Sequence, residues 1–175
     1  MKKVNVIGTT GSGKSTFSKE LADKLACPYF QMDELFWKPS WGESTDEEFI
    51  PKIEEVVLGE SWVLDGNYSR TNNIKWEAVD VVVWIDYSYL RTFFQLLKRT
   101  IVRAISKKEL WPNTGNRESI RKSFFSKTSI LIWFFRGYPK NKARYAKLQY
   151  LSDFENVRFV RLCSPKETRD FIKNA

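Results

Sequence analysis

Histidine is absent from the 175 residues. With it go the commonest general base and the commonest nitrogen ligand. Proton transfer therefore falls to carboxylates, and any metal site is expected to be an oxygen-rich Mg²⁺ site. Only two cysteines occur, Cys27 and Cys163, each alone and each beside an apparent strand. No C-x-x-C exists and no disulfide framework is suggested, which fits a reducing cytosol. Long apolar runs are missing as well. The most apolar stretch, Ile130 to Phe135, is too short to span a bilayer, and the run behind Met1-Lys2-Lys3 is too short for a secretion signal. A cytoplasmic chain without a membrane partner is expected. Internal repeats and low-complexity tracts are absent too, and the length suits one domain, residues 1–175, that closes its own core.

What is present is concentrated near the start. Gly8-Thr9-Thr10-Gly11-Ser12-Gly13-Lys14-Ser15 is a complete G-x-x-x-x-G-K-[ST] string. Val4-Asn5-Val6-Ile7 before it reads as a buried strand, and Phe17, Leu21 and Leu25 after it recur as one face of a helix. Strand, glycine-rich turn and helix N-terminus together aim backbone N–H groups and the positive end of a helix dipole at one anion. Lys14 is placed to reach β/γ-phosphates, and the Ser15 hydroxyl, with Thr16 beside it, to ligate Mg²⁺. The string predicts a nucleoside triphosphate site.

Charge is unevenly spread. Residues 91–147 hold 15 Lys/Arg against two acids, Glu109 and Glu118, within a chain of net charge +8. So concentrated a field needs an anionic partner: the bound nucleotide, a nucleic acid or a membrane surface.

Strands are expected at 3–7, 28–32, 62–64, 79–85 and 157–162, with helices between them. The first helix spans 14–26. Ser44-x-x-Glu47 and Thr45-x-x-Glu48 are overlapping capping boxes for a helix to about Leu58, with a late start or kink at Pro51. Ser164-Pro165-Lys166-Glu167 supplies cap, first-turn proline and capping acid for the last helix. Short apolar strands alternating with helices predict an α/β fold, a parallel sheet covered on both faces. Phe93, Phe94, Leu96, Leu97, Ile101 and Ile105 mark an amphipathic helix. Lys107 to Asn116, with Pro112 and Gly115, reads as a mobile excursion, followed by helices over 117–135 and 141–151.

Asp65 ends a strand before a glycine, as suits a carboxylate that orients Mg²⁺ through water; Asp86, also at a strand end, competes for that role. Asp33-Glu34 follows the second strand, and Asp33 either orients a substrate hydroxyl or is a plain turn acid. Arg99 and Arg103 are one helical turn apart, and like charges at that spacing cost about 0.2–0.5 kcal/mol unless an anion lies between them. Arg117 and Arg121 repeat the spacing beyond the Pro/Gly loop. Such guanidinium groups suit the charge that builds on a transferred phosphoryl group. Phe36, Trp37, Trp41 and Tyr68 are either a stacking wall or core packing.

Met32-Asp33-Glu34-Leu35-Phe36-Trp37-Lys38-Pro39 and Trp62-Val63-Leu64-Asp65-Gly66-Asn67-Tyr68-Ser69-Arg70-Thr71, with the loop, resemble adenylate-kinase-related proteins of the nucleoside/nucleotide-kinase branch of P-loop proteins. Within it they are similar to the bacterial "DNA topology modulation protein" group. The resemblance implies a P-loop fold with a five-stranded parallel sheet in order 2-3-1-4-5, ATP as donor, and an arginine lid at about 104–122. It further implies that the loop of Ser164 and Pro165 meets adenine through backbone. Arg70 lies one residue later than the arginine that holds an acceptor monophosphate in adenylate kinases, so monophosphate and hydroxyl acceptors both stay open.

The combined expectation is a Mg²⁺- and ATP-dependent phosphotransferase acting on a small molecule such as a nucleoside or nucleotide. Lys14, Asp33, Asp65, Arg99 and Arg103 would be catalytic. Gly8 through Thr16, Arg117, Arg121, Ser164 and Pro165 would bind the nucleotide, and Ser15 and Asp65 the metal. The alternative is a nucleotide-binding regulator that associates with DNA or RNA through the basic segment.

Overall fold

A computed structural model describes residues 1–119, 129–148 and 157–175. Arg121 and parts of the two expected helices at 117–135 and 141–151 lie outside them. The five strands are β1 (Lys3–Gly8), β2 (Tyr29–Gln31), β3 (Trp62–Asp65), β4 (Val81–Ile85) and β5 (Arg158–Leu162). They form one all-parallel sheet in the order β2-β3-β1-β4-β5, as the family resemblance implies. The helices are α1 (Lys14–Leu25), α2 (Met32–Phe36), α3 (Asp46–Leu58), α4 (Asn72–Glu77), α5 (Tyr89–Ser106), α6 (Ile130–Leu148) and α7 (Pro165–Lys173).

Strand alternation divides the core in two. Val4 and Val6 face one side with Val63, Val81, Val83, Ile85 and Leu162, covered by Phe17 and Leu21 of α1 and flanked by Phe171 of α7. Ile7, Leu64, Val82 and Trp84 face the other, under Phe49 and Ile53 of α3, Trp76 of α4 and Tyr145 of α6. Each such side chain contributes roughly 1.5–3 kcal/mol by leaving water. Asn5, fully buried on β1, is satisfied: its Nδ2 donates to the Leu64 carbonyl at 2.9 Å and its Oδ1 accepts from Trp76 Nε1 at 2.8 Å.

Three local expectations change. The helix at Thr45 begins directly and runs through Pro51, with the Thr45 amide donating to Glu48 Oε2 at 2.9 Å. Pro51 sits on an exposed face where its missing N–H is tolerated. Residues expected to belong to two helices near 117–135 and 141–151 instead include one continuous helix, α6, which passes through Pro139, also on the exposed side. Residues 107–116 are not a free excursion. Glu109 and Arg117 pair as an antiparallel bridge, and the hairpin between them docks on the loop after α2.

Lys75 of α4 is fully buried, its Nζ meeting the Tyr68 carbonyl at 3.2 Å and the Met32 sulfur at 4.0 Å. Burial, with Arg144 nearby, pushes its ammonium down to about 7 from an ordinary 10.5. Between those two values the unfolded chain binds a proton that the folded chain does not, so stability rises with pH across that window. Below it the cost of the buried charge is fully expressed. Lys75→Met removes this dependence. In urea melts, the wild type is expected to gain roughly 2 kcal/mol more than the variant between about pH 7 and pH 9.

Candidate active site

The loop between β1 and α1 is shaped by its glycines and by α5. Gly11 has φ +82°, and a Cβ there would stand 2.7 Å from the Leu96 Cβ and 2.9 Å from the Thr92 carbonyl. Only glycine lets the loop lie this close to α5. The Ser12 amide donates to the Thr9 carbonyl at 3.0 Å, and α1 carries no acid in its first turn, so its amino end is free to attract an anion.

Asn67 had no assigned role in the sequence, yet it holds the first glycine. Its Nδ2 donates to the Gly8 carbonyl at 2.6 Å, and its Oδ1 accepts from the Gly8 amide at 2.9 Å. Backbone pairing of β1 with β3 ends at Val6 and Asp65, and the Gly66 amide still reaches the Val6 carbonyl at 3.1 Å. The Asn67 amide then continues the ladder by one pair, as a backbone peptide would. Gly66 precedes it because a Cβ there would lie 2.6 Å from the Met32 side chain. Asn67→Ala is expected to cost about 1–3 kcal/mol in thermal or urea unfolding, and to weaken ATP binding by loosening the turn.

Beside the loop, Asp65 is 2% exposed at the end of β3. Burial raises its pKa, against the opposing pull of Lys14 and Ser15. Its Oδ2 accepts from the Tyr29 hydroxyl at 3.2 Å, while its Oδ1 is buried and makes no hydrogen bond among the described residues. A bare carboxylate oxygen near a serine hydroxyl and a lysine suits the hydration shell of a hard cation, so these residues fit Mg²⁺. Among the described residues no three His, Cys, Asp or Glu side chains converge as a metal cage, which suits an ion held mainly by phosphate oxygens. Asp86 leaves the competition. It accepts from Arg161 Nε at 2.8 Å and from Arg161 Nη2, and pairs with Lys142 at 3.2 Å, as a tie between β4, β5 and α6.

Asp33 stands in the first turn of α2, where its Oδ1 accepts from the Tyr68 hydroxyl at 2.8 Å. Burial and Asp33 together push the Tyr68 phenol well above its ordinary range, so it remains a donor. Arg99 comes in from α5. Its Nη2 donates to Thr10 Oγ1 at 3.2 Å, and its charge bears on both Asp33 and Asp65. Burial, then Arg103, lowers its pKa. Arg103 pairs with Glu118 at 3.3 Å and so ties α5 to the hairpin. Lys14, Ser15, Asp33, Asp65 and Arg99 thus share one electrostatic neighbourhood.

Other expected residues sit apart. Arg117 is exposed on the hairpin. The Ser164 hydroxyl caps α7, accepting from the Glu167 amide at 3.2 Å and donating to Glu167 Oε1 at 2.8 Å. A nucleotide would therefore meet only its backbone.

The hairpin brings residues that the sequence did not single out. Trp111 is buried and stacks on Trp37 at 5.9 Å with 14° between the planes, and Trp41 meets both rings edge-on. Asn116 Nδ2 donates to the Lys38 carbonyl at 2.9 Å, and its Oδ1 accepts from the Trp41 amide at 2.8 Å. This clamp secures a left-handed pair, Ser40 (φ 59°) and Trp41 (φ 62°), that costs about 1–2 kcal/mol per residue. Trp111-Pro112 and Trp37-Lys38-Pro39 were the available signal, two tryptophans each beside a loop proline. Phe36 packs against Phe49 and Tyr68 at 5.3 and 4.9 Å and is core.

Comparison with known proteins agrees with this geometry. No family model matches the chain. A protein of Thermococcus onnurineus named "Putative adenylate kinase" is 31% identical over 118 residues, covering 63% of this chain and 60% of that protein. One of the same name from Pyrococcus furiosus is 30% identical over 74 residues, 38% of this chain and 41% of that protein. The matched region thus spans less than two thirds of either relative. Among solved structures, shikimate kinase from Acinetobacter baumannii in complex with shikimate aligns with a TM-score of 0.53 at 13% identity, over 99% of this chain and 90% of its own. A gluconokinase from Sinorhizobium meliloti aligns at 0.51 and 14%, over 99% and 92%. The fold is the one these kinases share, and over part of its length the chain is similar in sequence to the two proteins named putative adenylate kinase.

Proposed function

We propose that this chain is a Mg²⁺-dependent phosphotransferase that moves the γ-phosphoryl group of ATP to a hydroxyl of a small metabolite. The observation that carries the reading is Asp33, held by the Tyr68 hydroxyl and close enough to the site of Lys14, Ser15, Asp65 and Arg99 for its charge to bear on Asp65 and Arg99. Gly8 through Thr16 hold the phosphates, and the backbone at Ser164 and Pro165 meets the adenine. Ser15 and Asp65 would hold the shell of a Mg²⁺ ion, which would supply neutralisation of the polyphosphate charge. Asp33 takes the proton of the acceptor hydroxyl as its oxygen bonds to the γ-phosphorus. The bond to the β–γ bridging oxygen breaks and ADP leaves. Lys14, Arg99 and Arg103 stabilise the charge on the moving group, with Arg117 or Arg121 contributing from the lid at about 104–122.

A hydroxyl is favoured over a monophosphate because the basic residues on the acceptor side are engaged. Arg70 pairs with Asp46 at 3.0 Å and lies over the Phe36 ring at 5.0 Å. Lys38 pairs with Glu48, Lys52 donates to the Leu35 carbonyl at 3.0 Å, and Lys75 is buried. The strings around Asp33 and Asp65 support a place near the topology modulation group, and unpaired Cys27 and Cys163 suit a reducing cytoplasm.

The test is ADP release from Mg-ATP against panels of sugars, nucleosides and other alcohols, nucleoside monophosphates, and DNA. Stimulation by an alcohol is expected. Stimulation by monophosphates alone would overturn the hydroxyl assignment, and stimulation by DNA alone would replace the reading with the nucleic-acid one.

A further inference from the structure

The apolar stripe of α5 faces outward. Its buried face is Thr92, Leu96, Thr100 and Ala104, mostly small or polar, because the phosphate loop at Gly11 approaches too closely for more. The larger apolar side chains lie opposite: Leu90 is 65% exposed, Phe94 61% and Ile105 68%, with Ile101 between them. At one helical rise per residue the stripe runs about 22 Å from Leu90 to Ile105. Exposed Phe135 of the neighbouring α6 widens it, 5.7 Å from the Phe93 ring, and Phe93 of α5 ties the two helices together against Phe134 at 5.9 Å. Cations flank it. Helices α5 and α6 together hold nine Lys/Arg and no acid, and of these Arg91, Lys98, Arg136 and Lys140 are exposed.

We propose that this face binds the surface of an anionic phospholipid bilayer, with the apolar stripe in the headgroup boundary and the cations on lipid phosphates. An outward helix of this kind, apolar along its crest and basic at its margins, has the composition of an interfacial membrane helix. Each cation near such a surface strengthens binding several-fold. Charge complementarity selects this occupant. A second copy docking through the same stripe would set one basic-edged face against another, with no acid on either helix to compensate. A nucleic acid offers phosphates to the cations but nothing apolar to the stripe. No described helix is long and apolar enough to cross a membrane, so the attachment is peripheral. The proposal revises the sequence expectation of no membrane partner, and it is independent of the phosphotransferase reading.

The experiment is co-sedimentation of the full chain with phosphatidylcholine vesicles, with and without phosphatidylglycerol, at low and high salt. Binding to the anionic vesicles is expected to be about tenfold or more tighter and to weaken with salt. The double variant Phe94→Glu/Ile101→Glu is expected to lose it by about tenfold or more while keeping its melting temperature and ATP affinity. Leu58→Glu, at an 83% exposed position on α3, serves as control and retains binding. No preference for anionic vesicles would overturn the proposal. So would a concentration-dependent dimer that the double variant dissolves, or a double variant that unfolds while a charge-reduced Arg91→Gln/Lys98→Gln variant still sediments normally.

Discussion

Lys14→Ala is expected to lower kcat/KM for ATP consumption by about 10³-fold or more while leaving the fold intact, measured as ADP release and as the melting transition. The size follows from where the side chain stands. Lys14 begins α1 at the mouth of the loop, and its charge is felt by the buried Asp65. Removing it deletes the point charge aimed at the β/γ-phosphates. It also leaves Asp65, whose pKa burial already raises, without its strongest opposing influence. Asp65 then protonates more readily and serves a cation less well, so both the phosphate and the metal contributions fall together. Stability changes little because the Lys14 side chain fills no part of the core.

Asp33→Asn is expected to separate binding from transfer. ATP affinity by titration stays within about twofold, since nothing in the phosphate nest is altered, while transfer to the acceptor falls by about 10²–10⁴-fold, the range for loss of a positioned general base. Asparagine keeps an oxygen that accepts from the Tyr68 hydroxyl, so the short helix α2 remains in place. It cannot take the proton of an attacking hydroxyl. Full transfer by this variant would return Asp33 to an ordinary turn acid.

Much of this arrangement was readable from the chain. The run from Val79 to Ile85, apolar but for Asp80 and closed by Asp86, reads as a buried strand, which the structure places at Val81–Ile85, and the strand–loop–helix around Lys14 marks the candidate site. What was not readable has specific causes. The spacing of Phe94, Leu96, Ile101 and Ile105 identifies a helix but not which side meets the protein, and the close approach of Gly11 decides that the smaller face turns inward. Pro112 and Gly115 suggest freedom, yet two loop tryptophans and the Asn116 amide fix the hairpin against the acceptor side. The Asn67 clasp substitutes a side chain for a peptide group, which no periodicity reveals. Asp65 and Asp86 look alike in sequence, and only the placement of Arg161 and Lys142 separates them.

The most direct measurement is a crystal structure of the full chain with Mg²⁺ and a non-hydrolysable ATP analogue. The account predicts the β- and γ-phosphates within hydrogen-bond reach of the amides at 11–15 and of Lys14 Nζ, with Arg99 beside the γ-phosphate and Asp33 facing it across an open acceptor space. An analogue bound elsewhere at saturation, or a γ-phosphate turned away from both Arg99 and Asp33, would contradict it.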